Sequence, residues 1–156
     1  MQKLVRGALA VLFLVAIAIT VASAQTNDPV IGTWQLNVAK SKYTPGPGPK
    51  SEMRTYAANG DASAKGVDAS GKATSSQWTI IYDGKDRPLT GSPDADMLSL
   101  KRIDPNHVEF TQKRGGKVAM TGTRTVSPDG KVMTIVTKGT DAKGQTVNNV
   151  EVFDRR

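Results

Sequence analysis

The sequence has 156 residues, a formal charge of +7 at neutral pH, 38% hydrophobic residues and no cysteine. The lack of cysteine excludes a disulfide framework, an iron–sulfur site and a thiol nucleophile. Its 21 lysines and arginines are spread along the chain without interleaved aromatic residues, which argues against a nucleic-acid groove, since such grooves gather charge beside stacking rings.

The N-terminal segment has the layout of a secretory signal peptide. Lys3 and Arg6 precede an uncharged apolar stretch, residues 7–22, which is shorter than a membrane span requires, and an A-x-A cleavage pattern ends at Ala24. Cleavage there would leave residues 25–156 as one domain with 19 basic and 14 acidic side chains, a formal charge of +5. We therefore predict a signal peptide over 1–24 and a secreted or periplasmic protein without a membrane span in its mature chain. An uncleaved N-terminal anchor is the alternative.

The rest of the chain is divided by turn signals of Gly, Asn, Asp and Pro, spaced about 10–14 residues apart as in an all-β meander. Between the turns, apolar and polar residues alternate: Val118, Met120, Arg124 and Val126 share one face, with threonines on the other. This pattern predicts nine strands: 31–38, 51–58, 62–68, 73–82, 96–103, 107–114, 117–126, 131–138 and 146–153.

Two short segments do not follow this alternation of strands and turns. Residues 39–43 predict a single helical turn. The Pro-Gly repeat at 45–49 is incompatible with a helix or a central strand, so we expect an extended corner or lid there.

The architecture follows from the short connections. Strands joined by hairpins are neighbours in the sheet, and an antiparallel sheet of this size tends to curl until its exposed edges disappear. We predict an all-β, up-and-down antiparallel meander that closes into a lipocalin-like barrel of about 8–10 strands. A β-sandwich is the alternative, although its crossings need longer links.

The start of the first predicted strand resembles the lipocalins. Gly32-Thr33-Trp34 matches their Gly-x-Trp pattern, in which the tryptophan plugs the closed end of the barrel. The resemblance implies a basic side chain lying over the ring, and Arg124, Arg155 and Arg156 are the candidates.

A longer resemblance covers nearly all of residues 31–154. The segments that carry it are GTWQLN and AKSKY (32–37 and 39–43), PGP (45–47), YDGKD (82–86), TGSP (90–93), KRID (101–104) and KGT (138–140). With these segments the chain is similar to a family of uncharacterised exported bacterial proteins with a lipocalin-like barrel. The resemblance implies a secreted β-barrel domain and supplies no reaction and no catalytic residues.

The aromatic content bears on the interior of such a barrel. Aromatic residues make up only 5% of the chain, so the barrel is either partly hollow, with room for a ligand, or filled by small side chains. Trp78, Ile80 and Tyr82 form an inward stripe that is typical of a core and is also compatible with a pocket wall.

Residues 82–96 form the longest irregular connection and carry four aspartates, including Asp83 and Asp86. One interpretation is a loop at the barrel mouth whose carboxylates bind a ligand or a calcium ion. The other is that these side chains cap tight turns and keep the loop solvated, which we favour.

Catalytic patterns are weak. His107 is the single histidine and lies near Asp104, but there is no nucleophile elbow and no second zinc ligand, so we expect it at a surface corner. Glu52, Glu109 and Glu151 lie on different predicted strands and could form a carboxylate pair, although outward-facing strand glutamates are the ordinary case.

The sequence thus favours an exported, monomeric protein that binds a small apolar or amphipathic molecule, with no cofactor, no metal and no nucleic-acid partner. The alternatives are an envelope interaction module without a pocket and, less favoured, a hydrolase or isomerase using the aspartate-rich loop. No catalytic residue is assigned. The predicted ligand-binding residues are Trp34, Trp78, Tyr82, Asp83, Asp86 and Arg124.

Overall fold

The structure is a computed structural model that describes residues 28–156, so the predicted signal peptide, 1–24, lies outside the described residues. It contains a 3-10 helix, Val38–Lys40, and ten strands: β1 Gly32–Leu36, β2 Ser51–Tyr56, β3 Asp61–Val67, β4 Ala73–Thr79, β5 Arg87–Pro88, β6 Met97–Arg102, β7 His107–Arg114, β8 Lys117–Val126, β9 Val132–Thr140 and β10 Thr146–Arg155. Over 28–156, no helix has the length and apolar character needed to cross a bilayer.

All ten strands belong to one antiparallel sheet in the order β4-β3-β2-β1-β10-β9-β8-β7-β6-β5. Sequence neighbours are therefore sheet neighbours, and the first strand also pairs with the last, with Trp34 opposite Arg155. The sheet curls into one nearly closed barrel, which confirms the predicted all-β meander and not the sandwich alternative.

The two edges of the sheet meet at a seam between β4 and the residues after β5. Gln77 and Thr90 exchange two backbone hydrogen bonds of 3.0 Å there, and a groove of about 440 Å³ follows the seam. Gly91 lies next to this bridge with φ +78°, and a Cβ on it would stand 2.0 Å from the carbonyl oxygen of Ser75. The seam therefore closes only because residue 91 has no side chain.

Replacing Gly91 by alanine is expected to destabilise the barrel at this seam. Gly84→Ala is the matched control, because Gly84 also has a positive φ, +73°, but has open space around its missing Cβ. We expect the control to lose about 1–2 kcal/mol from backbone strain. Gly91→Ala should lower the free energy of unfolding by about 1–3 kcal/mol more than the control does, because β4 must move away from the added methyl group. Urea denaturation followed by circular dichroism measures both, and equal losses would contradict the close approach.

Three local expectations need correction. The structure has ten strands and not nine, because the two-residue strand β5 lies inside the connection predicted to be irregular. The helical turn predicted at 39–43 lies at Val38–Lys40, where Asn37 Oδ1 caps the backbone N–H of Lys40. Val118 does not share the inward face of Met120: a β-bulge shifts the register between β7 and β8, and Val118 is 60% exposed.

The meander gives the barrel two distinct ends. Connections after odd-numbered strands lie at one end, here called the mouth, and connections after even-numbered strands lie at the other, here called the closed end. Each strand points alternate residues inward, as in β9, where Met133, Ile135 and Thr137 are buried. The most deeply buried large side chains are Trp34, Phe153, Ile80, Met133 and Val30.

Candidate functional site

Trp34 seals the closed end. Its side chain is fully buried, its indole Nε1 donates to the carbonyl of Val30 at 2.7 Å, and the guanidinium carbon of Arg155 lies 4.2 Å from its ring centroid. Arg155 also donates to the backbone carbonyls of Ile31, Pro29 and Gly130. Of the three candidate arginines, Arg155 is therefore the one stacked on the tryptophan, because β10 is the strand paired with β1.

Above this plug the barrel is hollow. A cavity of about 710 Å³ occupies the interior and reaches the mouth, where its lining includes the exposed loop residues Ser70 and Pro93. Its apolar wall includes Tyr56, Trp78, Leu98, Phe110, Met120 and Ile135. Four charged side chains from three strands also line it: Glu52, Arg54, Arg124 and Glu151. Four more, from the mouth loops, line its opening: Asp68, Asp94, Asp141 and Lys143. A chamber of this size, with apolar and polar groups in its wall, is compatible with a small-molecule site.

Arg124 lies on β8, two residues before its closed-end terminus, and lines the cavity. The residue is only 6% exposed, yet no acidic side chain lies within ion-pair distance, although residues 28–156 contain all 14 acidic residues of the chain. Its Nη2 donates to the hydroxyl of Tyr82 at 2.6 Å, and its guanidinium carbon lies 5.2 Å from the ring centroid of Tyr56. A buried cation is normally paired with a carboxylate, so Arg124 leaves an uncompensated positive charge in the cavity.

The tyrosine that holds Arg124 remains neutral. Burial raises the pKa of Tyr82 to about 12, although Arg124 acts in the opposite direction. Its hydroxyl accepts from Arg124 and donates to the buried carboxylate of Asp28 at 2.5 Å. Asp28 in turn forms an ion pair with Arg102, again at 2.5 Å. The network therefore orients Arg124 without neutralising it, because the one nearby carboxylate is already matched by Arg102.

A second polar cluster lies in the same cavity. Arg54 forms an ion pair with Glu52 at 2.5 Å and a longer one with Glu151 at 3.5 Å, while the Tyr43 hydroxyl donates to Glu151 at 3.3 Å. Tyr43 lies directly beneath the Pro-Gly segment, since a Cβ on Gly48 would fall 2.1 Å from its ring. The carboxylates of Glu52 and Glu151 thus share the guanidinium of Arg54 beneath the Pro-Gly segment at the mouth.

This cluster corrects the expectation that the strand glutamates face outward. Glu52 and Glu151 face inward and converge on Arg54, whereas Glu109 is exposed on the outer face. The pairing arises because β2 and β10 flank β1 on its two sides. The alternation of Glu52, Arg54 and Tyr56 within one strand was the available signal for an inward polar face.

The protonation of Glu151 reflects its burial. Burial raises the pKa of Glu151, the neighbouring Glu52 carboxylate adds to this, and Arg54 and the Tyr43 hydroxyl oppose it. The folded protein therefore binds this proton more tightly than the unfolded chain does. The stability that this tighter proton binding contributes is fully present below the ordinary pKa of glutamate. It is lost as the pH rises through the raised pKa of Glu151 in the folded protein.

Glu151→Gln is expected to remove this pH dependence. At pH 3 the variant and the parent should have similar stability, because this pH is well below the ordinary glutamate pKa and the parent carboxyl is protonated in both states. At pH 7.5 the variant should be more stable, because the neutral amide avoids the cost of a buried second carboxylate. Urea midpoints at the two pH values measure this, with Glu109→Gln as the control on the outer face. A variant that is less stable at pH 7.5 would contradict it.

The structure places the six predicted ligand-binding residues in three different settings. Trp78 and Arg124 line the cavity. Trp34 is the plug beneath it, and Tyr82 supports Arg124 from the closed end. Asp83 and Asp86 lie outside the lining.

The aspartates of residues 82–96 do not converge. Asp83 forms a bidentate pair with Arg87, whose hydrogen bonds hold the pKa of Asp83 below its ordinary range, and Asp86 pairs with Lys113. Asp94 accepts from the backbone N–H of Ala142. Each carboxylate thus has its own structural partner, as expected of a solvated, turn-capping loop.

His107 lies at an exposed corner, where its Nδ1 is 2.7 Å from Asp104 Oδ2. It is absent from the cavity lining, so it and the aspartates of residues 82–96 do not form a common cleft. Within residues 28–156, no group of three or more acidic or histidine side chains is arranged to hold a metal ion.

Comparison with known proteins does not assign this chain to a family. No protein-family model and no curated protein matches the sequence. Among solved structures, the chain is similar to a crystal structure of zebrafish ileal bile acid-binding protein complexed with cholic acid. The two are 11% identical with a TM-score of 0.47, and the match covers 82% of this chain and 99% of the zebrafish chain.

Proposed function

We propose that this protein is an exported binding protein that holds a small amphipathic molecule bearing an acidic group inside its barrel. The observation that carries the proposal is Arg124, a buried cation without an acidic partner that faces a cavity of about 710 Å³. An incoming carboxylate, sulfate or phosphate would supply the missing counter-charge in a desolvated site, where such hydrogen bonds are strong. The apolar wall would cover the rest of the ligand.

Export and monomeric state are further parts of the proposal. The layout of residues 1–24 and the resemblance to exported barrel proteins support secretion or periplasmic localisation. The described residues from 28 onward contain the complete barrel, so cleavage after Ala24 would leave the fold intact.

The first test is production of the full chain in an exporting bacterial host, followed by native mass spectrometry of the periplasmic fraction. We expect the polypeptide mass of residues 25–156, a monomer, and a retained small molecule. The full 156-residue mass in the membrane fraction would overturn export.

A second test measures ligand chemistry directly. Calorimetric titrations would compare medium-chain fatty acids with their methyl esters, which have nearly the same shape but no charge. We expect the acids to bind and the esters to bind at least tenfold more weakly. No binding by any acid, together with a clean apo mass, would overturn the proposal and favour an envelope interaction module.

A further inference from the structure

Two separate groups of charged side chains, here called poles, line the cavity, and no ion pair links them. One is Arg124, on β8, which lacks an acidic partner among residues 28–156. The other is the Glu52–Arg54–Glu151 cluster, where one guanidinium faces two carboxylates. When both glutamates are ionised, the charges of these four strand residues sum to zero, but no ion pair joins Arg124 to either glutamate.

The acidic pole has hydrogen-bonding capacity that faces the cavity. Glu52 Oε1 is bound tightly by Arg54, but its Oε2 has no hydrogen-bond partner among the described residues. The two contacts of Glu151, 3.3 and 3.5 Å, are at the long limit of hydrogen bonds. A carboxylate accepts about four hydrogen bonds, so this pole can receive donors from a ligand.

The poles lie on different strands of the barrel wall. Arg124 on β8 and Glu151 on β10 are both directly opposite Ile135 of β9, so one strand separates them in the sheet. Arg124 is two residues from the closed-end terminus of β8 and is held by Tyr82 and Asp28. Glu52 is one residue from the mouth-end terminus of β2, and Tyr43 links Glu151 to the Pro-Gly segment at the mouth. A bound molecule would therefore meet a cation on β8 and carboxylates on β2 and β10, at separate places on the cavity wall.

From this arrangement we propose that the ligand is a small organic zwitterion, with an acid and an amine separated by an apolar spacer. This rests on the proposed function and names its ligand class. A purely apolar group against the acidic pole would strip water from the surplus carboxylate without replacing its hydrogen bonds, which is costly. An ammonium group would instead supply both the counter-charge and the donors.

The test is a calorimetric series of ω-aminoalkanoates of four to twelve carbons against plain alkanoates of equal length. We expect an optimum spacer length at which the amino compound binds at least tenfold tighter than its plain counterpart, because the two poles are fixed. The plain acids should instead gain affinity steadily with length, as buried apolar area does. The ω-hydroxy compounds should lie between the two.

Glu52→Gln provides the matched variant, since it removes the surplus carboxylate and leaves Arg54 paired with Glu151. It should reduce the preference for the amino compound over the plain alkanoate to less than threefold. Glu109→Gln, on the outer face, should change neither the amino preference nor the affinity for plain alkanoates.

Two results would overturn the inference in distinguishable ways. If plain alkanoates bind but the amino compounds are not favoured at any length, the zwitterion assignment fails and the proposed function stands. If neither series binds, both fail.

Discussion

Trp34→Ala is expected to lower the free energy of unfolding by about 3–5 kcal/mol, the range for removing a large aromatic side chain from a core. Trp34 is fully buried, and its removal would leave the carbonyl of Val30 without its donor and the Arg155 guanidinium without the ring on which it stacks. Because Trp34 plugs the closed end, its removal should also allow water to enter the cavity from that end. Urea denaturation followed by circular dichroism measures the loss.

Trp78→Ala is the natural comparison, because the chain has only two tryptophans. Trp78 is half-buried and lines the cavity, so its truncation removes less packed surface and should cost about 1–2 kcal/mol. Equal losses of unfolding free energy at the two positions would contradict the assignment of Trp34 to the plug and of Trp78 to the cavity wall. If Trp34→Ala does not fold, Trp34→Phe keeps most of the volume and should lose about 1–2 kcal/mol through the missing indole hydrogen bond.

Arg124→Met is expected to have opposite effects on stability and binding. The ligand-free variant should be as stable as the parent or more stable, because an apolar residue of similar length replaces a buried charge that lacks an acidic partner. Its affinity for a carboxylate ligand should fall about 10- to 100-fold, equivalent to about 1.5–3 kcal/mol for a charge-assisted hydrogen bond. Thermal unfolding of the apo protein and calorimetric titration measure the two effects.

Arg124→Lys is the control for this variant. It keeps the charge but loses the planar fork that binds a carboxylate through two parallel bonds, so its affinity should fall between those of the parent and Arg124→Met. A marked loss of apo stability in Arg124→Met, without a loss of affinity, would show that Arg124 is a structural residue and would remove the basis of the proposed site.

The candidate site was only partly predictable. Arg124 could be assigned to an inward face because it alternates in phase with Met120 and Val126, and Trp78 because it alternates with Ile80. The sequence did not show that Arg124 lacks an acidic partner, because that depends on where all the carboxylates lie in space. Glu52 and Glu151 could be named as a possible carboxylate pair, but Arg54 was missed as the partner they share, because 97 positions separate Arg54 from Glu151 along the chain.

The pairing of sequence neighbours in this protein was determined by its sequence alone, because hairpin turns and period-two alternation are local and act between neighbours in the chain. The tertiary structure decided what depends on register and closure. The bulge that exposes Val118 and the short β5 depend on the register of neighbouring strands, whereas Arg155 covers Trp34 because the first strand pairs with the last. The separated charges of the cavity arise in the same way, since only barrel closure brings side chains from β2, β8 and β10 to face one interior.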